Sequence, residues 1–171
     1  VLKEAQKSNS LKNIIVCADD KKIVKIVTDY GGNAILTSKK HKNGTERIAT
    51  VASKLKSKFF VDIQCDSFFL NFRNLDKLIK FHSKNPQFDI VVPYMDFKHK
   101  NDESSVKIIS NKKNEIIYMS RKDIPYNFRS KAKSYMKKHL DYISFTNKGL
   151  QKFAKLKESN LEKIEEIELL R

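Results

Sequence analysis

Cysteine is scarce in this chain: only Cys17 and Cys65 occur in 171 residues, and both stand in apolar, strand-like runs. A disulfide framework is excluded. Two buried free thiols are expected instead, because a buried cysteine behaves as a small hydrophobe, and with them a cytoplasmic protein. Long apolar runs are missing as well. No stretch approaches the roughly 20 residues of a membrane span, and no secretory apolar segment opens the chain, where Val1 to Ala5 reads as helix. No membrane partner is expected. Arginine is the third shortage. Arg47, Arg73, Arg121, Arg129 and Arg171 are the only ones, so lysine dominates the 35 Lys+Arg that outweigh 20 Asp+Glu and give a net charge of +15. These charges are spread through every helix and turn. No aromatic-plus-arginine pattern marks a base-stacking platform, so nucleic acid is not the expected partner. Attraction to anionic substrates, nucleoside triphosphates included, fits the charge equally well.

What is present is enough for one folded domain over 1–171. Apolar residues make up 40%, with 11 Phe and 6 Tyr, and there is no internal repeat. Ile14–Cys17, Ala34–Leu36, Phe59–Ile63 and Ile90–Val92 are short apolar runs of the kind found in strands buried on both faces. They predict strands near 13–17, 33–37, 58–64 and 88–94. Helical stripes alternate with them. Ile23, Val24, Ile26 and Val27 follow a capping Asp19 or Asp20, and Gly31-Gly32 ends that helix. Ile48, Val51, Ala52 and Leu55 stripe residues 45–57. Leu75, Leu78, Ile79 and His82 stripe the helix before Pro86. The alternation predicts an α/β fold with a doubly wound, mostly parallel, Rossmann-like sheet. After about residue 96 the pattern changes. Runs at 106–109 and 116–119 flank Asn111–Asn114, the signature of a β-hairpin. It reads as a substrate-binding insertion without a core of its own. A strand at about 139–145 and helices at about 147–157 and 160–170 complete the chain.

Two polar segments carry the chemistry. His41-Lys42-Asn43-Gly44-Thr45-Glu46-Arg47 precedes a helix; its glycine admits close backbone approach, and Thr45 and Arg47 offer donors to carbonyl and phosphate oxygens. Gln64-Cys65-Asp66-Ser67-Phe68 follows a strand, and strand ends are where open α/β sheets bind ligands. A carboxylate there suits a hard cation. Read alone, Asn43-Gly44-Thr45 is also a turn and helix cap, and Asp66 a helix cap or turn residue.

Together these segments resemble the bacterial cytidylyltransferases that activate acidic sugars, the Kdo (3-deoxy-manno-octulosonate) cytidylyltransferase or CMP-Kdo synthetase family above all. That family's loop reads His-x-Ser-Gly-Thr-Asp/Glu-Arg, with Asn43 here in place of serine. Its next motif is Gln-Gly-Asp-Glu-Pro, of which Gln64 and Asp66 remain. Ser120-Arg121-x-x-Ile124-Pro125 is similar to its Ser-Arg-x-x-Ile-Pro. His139-Leu140 is similar to the start of its His-Leu-Gly-Ile-Tyr-Gly-Tyr, with Ile143 at the sugar-contacting tyrosine. Leu161 to Arg171 resembles its last helix, with Leu169 replacing a glutamine. The resemblance implies a nucleotide-diphospho-sugar transferase type of fold. It also implies transfer of CMP from CTP to an acidic sugar, most closely Kdo, for lipopolysaccharide biosynthesis. Implied nucleotide-binding residues are Asn43, Gly44, Thr45, Arg47 and Gln64. Asp66 is the implied catalytic ligand of Mg²⁺. Arg121, His139 and Glu168 are the implied sugar-binding residues, and a homodimer is the implied assembly. The family's first strand with its phosphate loop should precede Val1, and its second magnesium aspartate should follow Arg171. The chain is therefore expected to be incomplete at both termini and, alone, inactive. A non-catalytic nucleotide-sugar-binding relative and a basic RNA-binding domain are the competing readings.

Overall fold

The computed structural model describes residues 1–67, 70–129 and 135–171, so Phe68 of the Gln64–Phe68 segment lies outside the described residues. The chain divides into two compact units, Val1–Val91 with Asp141–Ala154, and Val92–Leu140 with Lys155–Arg171. Among the described residues no helix is long and apolar enough to cross a membrane.

In the first unit a short helix α1 (Leu2–Ala5) leads to strand β1 (Ile15–Ala18). Helix α2 (Lys21–Asp29) begins at Asp20, whose carboxylate accepts from the Lys22 N–H at 2.7 Å. It ends at Gly31, whose φ of 73° is one that a side chain disfavours. Strand β2 (Asn33–Leu36) returns parallel to β1, with Ile15 opposite Asn33 and Ala18 opposite Leu36. Then come α3 (Gly44–Ala52), β3 (Phe59–Ile63), α4 (Phe72–Lys84) and β4 (Ile90–Val91). The late strand β9 (Tyr142–Thr146) lies between β3 and β4 and is antiparallel to both. Helix α5 (Asn147–Phe153) follows it.

The α/β class and strand positions agree with the sequence, but the mostly parallel sheet is corrected. Among the described residues only β1 and β2 pair in parallel, and the other strand pairings are antiparallel. The reason is β9. Its residues Tyr142, Ile143, Ser144 and Phe145 are all buried, as a central strand requires, and no local pattern reveals which neighbours such a strand joins. The expected strand at 88–94 is also shorter. It stops at Val91, and Pro93, which has no N–H to give a ladder, separates it from the next strand.

His82 of α4 organises this unit's core. It is buried against β9, where Nδ1 lies 2.7 Å from the Ser144 hydroxyl and Nε2 2.8 Å from the Phe88 carbonyl oxygen. A carbonyl only accepts, so Nε2 carries the proton and Nδ1 accepts from Ser144. The ring meets Phe59 edge-on at 4.8 Å. Burial pushes the His82 pKa below its ordinary value, against the pull of the Phe88 bond.

The second unit is a four-stranded antiparallel sheet. Its strands are β5 (Tyr94–Phe97), β6 (Lys107–Ser110), β7 (Ile116–Ser120) and β8 (Met136–His139), in the order β5-β8-β6-β7. The expected hairpin is β6–β7, closed by Asn111, whose side-chain oxygen accepts from the N–H groups of Lys113 and Glu115 at 2.9 Å. Helix α6 (Asn160–Glu165) and a 3₁₀ turn at Glu168–Leu170 cover it. The expected helix over 160–170 breaks at Glu166, in the left-handed region at φ 51°. The hairpin does have a core of its own: Ile108, Met119 and Ile167 are buried together, with Val92, Val106, Leu169 and Leu170 against them.

Candidate active site

The first unit presents the expected nucleotide and metal residues on two segments. Asn43 is the N-cap of α3, its side-chain oxygen accepting from the Glu46 N–H at 2.9 Å. The Glu46 carboxylate in turn accepts from the Lys42 N–H at 3.0 Å. These two bonds hold the loop and leave Gly44 exposed on the first turn. A Cβ built at Gly44 meets nothing within 4 Å, so the space above this backbone is open to a ligand. Thr45 turns the other way. Its side chain is 0% exposed, and its hydroxyl donates to Asp62 Oδ2 at 3.2 Å. As the second helical residue, Thr45 points its side chain inward to β3.

Arg47 is partly engaged. It donates to Thr37 Oγ1 at 2.6 Å and to Asp19 Oδ2 at 2.8 Å. Thr37 in turn donates its hydroxyl and its N–H to the Ala18 carbonyl, at 2.9 and 2.7 Å. The Arg47 guanidinium thereby ties α3 to the ends of β1 and β2. It holds the Asp19 carboxyl below its ordinary pKa, chiefly through their hydrogen bond. Among the described residues two of the five guanidinium N–H groups are used.

Gln64, Cys65 and Asp66 are all exposed, in the turn after β3 closed by the Ser67 N–H donating to the Gln64 carbonyl at 3.2 Å. The expected burial of Cys65 is corrected, because it stands beyond the strand rather than in it. Cys17, on β1, is half-buried, and burial raises its thiol pKa. Among the described residues no hydrogen bond or ion pair engages Asp66, and no group of three or more His, Cys, Asp or Glu could enclose a metal. Magnesium characteristically takes one or two protein carboxylates together with substrate phosphates and water. Asp66 fits that role as one hard oxygen ligand.

Sequence reading missed Asp62. This carboxylate is buried on β3 opposite Ile143, and an aspartate inside an apolar strand run was the signal for it. The pairing also settles Ile143. It is a buried residue of β9, packed in the sheet.

In the second unit Arg121 stands directly after β7 and is held on several sides. Its N–H donates to Glu165 Oε2 at 2.9 Å, and its Nε–H to the Glu165 carbonyl at 2.8 Å. Its terminal nitrogens donate to the Glu103 and Glu166 carbonyls at 3.0 and 3.1 Å. The bonds to Glu165 and Glu166 satisfy carbonyls that the end of α6 leaves without intrahelical donors. Glu165 is a second residue that sequence reading passed over. Its carboxylate also accepts from Tyr118 at 3.0 Å and Ser120 at 2.8 Å. Burial pushes the Glu165 pKa up, but the bonds from Arg121, Ser120 and Tyr118 outweigh it and hold the group below its ordinary value. His139 ends β8, half-buried, its N–H donating to the Val106 carbonyl at 3.0 Å. Glu168 is half-buried at the start of the 3₁₀ turn. One aromatic-plus-arginine cluster does occur here: the Tyr126 and Phe128 rings lie 6.3 Å apart and Arg129 lies over Phe128 at 5.0 Å. It is local, and no strip of such residues extends from it among the described residues.

The family described as Cytidylyltransferase matches residues 1–171. The 3-deoxy-manno-octulosonate cytidylyltransferase of Leptospira interrogans serogroup Icterohaemorrhagiae serovar Lai is 31% identical over 173 residues, covering 99% of this chain and 69% of that protein. The protein of the same name from Fusobacterium nucleatum subsp. nucleatum is 34% identical over 179 residues, covering 100% and 71%. The solved structure of CMP:2-keto-3-deoxy-manno-octonic acid synthetase complexed with CTP is similar with a TM-score of 0.91 at 25% identity, over 98% of this chain and 70% of that one. The chain belongs to the cytidylyltransferase family, among the 3-deoxy-manno-octulosonate cytidylyltransferases.

Proposed function

We propose that this enzyme transfers CMP from CTP to Kdo, giving CMP-Kdo and pyrophosphate for lipopolysaccharide biosynthesis in the cytoplasm, and that it works as a homodimer. The observation that carries the reading is the pairing of an exposed, ligand-open Gly44 on a capped helix start with exposed Gln64 and Asp66 after β3, in a chain whose structural neighbour was solved with CTP.

In the reaction the anomeric hydroxyl of the sugar attacks the α-phosphorus of CTP. The new O–P bond forms as the bond to the β-phosphate oxygen breaks, pyrophosphate leaves, and the hydroxyl proton is released. Positioning and charge stabilisation supply most of the catalysis in such transfers. The capped turn at Asn43–Thr45 offers its backbone to the nucleoside, and Gln64 offers an amide. The remaining Arg47 N–H groups suit phosphate oxygens. Asp66 is the carboxylate that would hold magnesium. When bound, the ion neutralises charge on the phosphates. On the sugar side Arg121 offers a fork to the acidic group, and His139 and Glu168 serve its hydroxyls.

Equilibrium binding tests the reading. CTP should bind only in the presence of Mg²⁺, and Kdo should bind in the presence of CTP. Binding of CTP indifferent to Mg²⁺ and no better than that of ATP would count against it. So would tight RNA binding that weakens steeply with salt, the mark of phosphate-backbone contacts.

A further inference from the structure

Lys107 opens β6 in the second unit and is 0% exposed. Lysine is almost never fully buried unless paired, because stripping water from an ammonium is costly. Here Nζ donates to the Asp102 carbonyl at 2.7 Å, to the Ser105 carbonyl at 2.8 Å and to the Arg121 carbonyl. Three acceptors match the three N–H bonds of an ammonium. Asp123 Oδ1 stands 3.8 Å away as the counter-charge, and Asp123 Oδ2 accepts from the Asn101 N–H at 2.9 Å.

Sealed from solvent, this ammonium cannot touch a substrate. What it does is join two stretches of backbone, the turn at 102–105 and residue 121. Arg121 is then fixed at its carbonyl by Lys107, at its N–H by Glu165, and at its guanidinium by the Glu103, Glu165 and Glu166 carbonyls. Three guanidinium N–H groups are used in this way. Among the described residues one remains on each terminal nitrogen, the number a carboxylate takes in a two-point pair.

We propose that Lys107 is a positioning residue for recognition of the acidic sugar: its carbonyl-bound ammonium holds the Arg121 main chain so that two guanidinium N–H groups are fixed in place for a carboxylate. This presupposes that Arg121 binds the sugar's carboxylate. The chemistry explains why a lysine, not an arginine or an apolar residue, occupies this place. A compact ammonium satisfies three converging carbonyls, whereas a planar guanidinium fork cannot and an apolar side chain leaves all three unsatisfied.

The test is amide and guanidinium hydrogen exchange by NMR on the whole chain carrying Lys107→Met or, should that variant fail to fold, Lys107→Arg. In the unsubstituted protein the Arg121 Nε–H is expected to be protected, as is that of Arg171, which donates to Glu162 at 2.9 Å. In either variant Arg121 Nε–H exchange should rise about 10-fold or more while Arg171 keeps its protection, the pattern of a local opening. Kdo affinity should fall about 10-fold with CTP affinity unchanged. Unchanged Arg121 protection overturns the positioning role whatever the sugar does. Lost protection with unchanged Kdo affinity overturns its link to the sugar. Failure of the unsubstituted protein to bind Kdo at all refutes instead the reading of Arg121 as a sugar ligand, and is seen separately.

Discussion

Asp66 in the first unit and Arg121 in the second both stand just beyond a strand, yet their surroundings are opposite. Asp66 is exposed and engaged by nothing among the described residues, and Gly44 opens onto empty space. Arg121 is tied through its carbonyl, its N–H and three guanidinium donors. In the first unit the strand-end turn presents ligand groups that the fold does not need. In the second the ligand group is itself part of the fold. Function and stability should therefore separate at Asp66 and travel together at Arg121.

The largest expected effect breaks or keeps that contrast directly. Asp66→Asn should lower turnover with CTP and Kdo by about 10³ or more, the scale seen when preorganised charge is lost at a reacting phosphate. Its urea midpoint should not move. A shifted midpoint would show that Asp66 is structural after all. Arg121→Ala should weaken Kdo binding and also destabilise the protein by about 2–4 kcal/mol, since several hydrogen bonds from a charged donor are lost at once; chemical denaturation measures this. An unaltered midpoint would erase the difference between the units.

Next in size is Gly149→Ala, in the first turn of α5 in the first unit. A Cβ there would come within 2.6 Å of the Asp89 carbonyl oxygen, which accepts from the Thr146 N–H at 2.9 Å. Overpacking of this kind costs about 1–3 kcal/mol, read from the denaturation midpoint, with Arg121 exchange protection retained.

The smallest expected effect is in pH. Burial places the folded-state pKa of His82 below its ordinary 6.5. The unfolded chain therefore binds the proton first, and the first unit loses stability as pH falls below 6.5. Glu165 is likewise held below its ordinary value of 4.5. Its contribution is present above 4.5 and is lost only as pH falls below it. Acid titration followed by residue-resolved NMR should show α4 and β9 weakening before the Tyr118–Arg121 region. The reverse order would contradict both assignments.

Much of the fold could be read from local pattern. Asp20 and Asn43 cap helices as their spacing indicates, and Asn111 closes the hairpin. What escaped was long-range. Nothing near residues 142–146 says that they lie between β3 and β4, because strand pairing depends on partners far along the chain. The site divided in the same way. Gln64, Asp66 and Gly44 are exposed as a ligand site needs, since turn chemistry is local. The inward turn of the Thr45 side chain could not be read from residue type, because helix phase decides which way a side chain points. Asp62 in the first unit and Lys107 in the second were visible only as charges beside apolar residues, a sign of buried pairing that does not name the partners.

The central claim is that this chain activates Kdo with CTP, and the most direct measurement follows CTP labelled at its α-phosphorus. The protein from the full natural reading frame should be incubated with labelled CTP, Kdo and Mg²⁺, and the products separated. The account predicts label on the sugar as CMP-Kdo, unlabelled pyrophosphate in equal amount, and no transfer when Kdo is omitted. Label remaining in CTP, or released as free CMP regardless of Kdo, would contradict it.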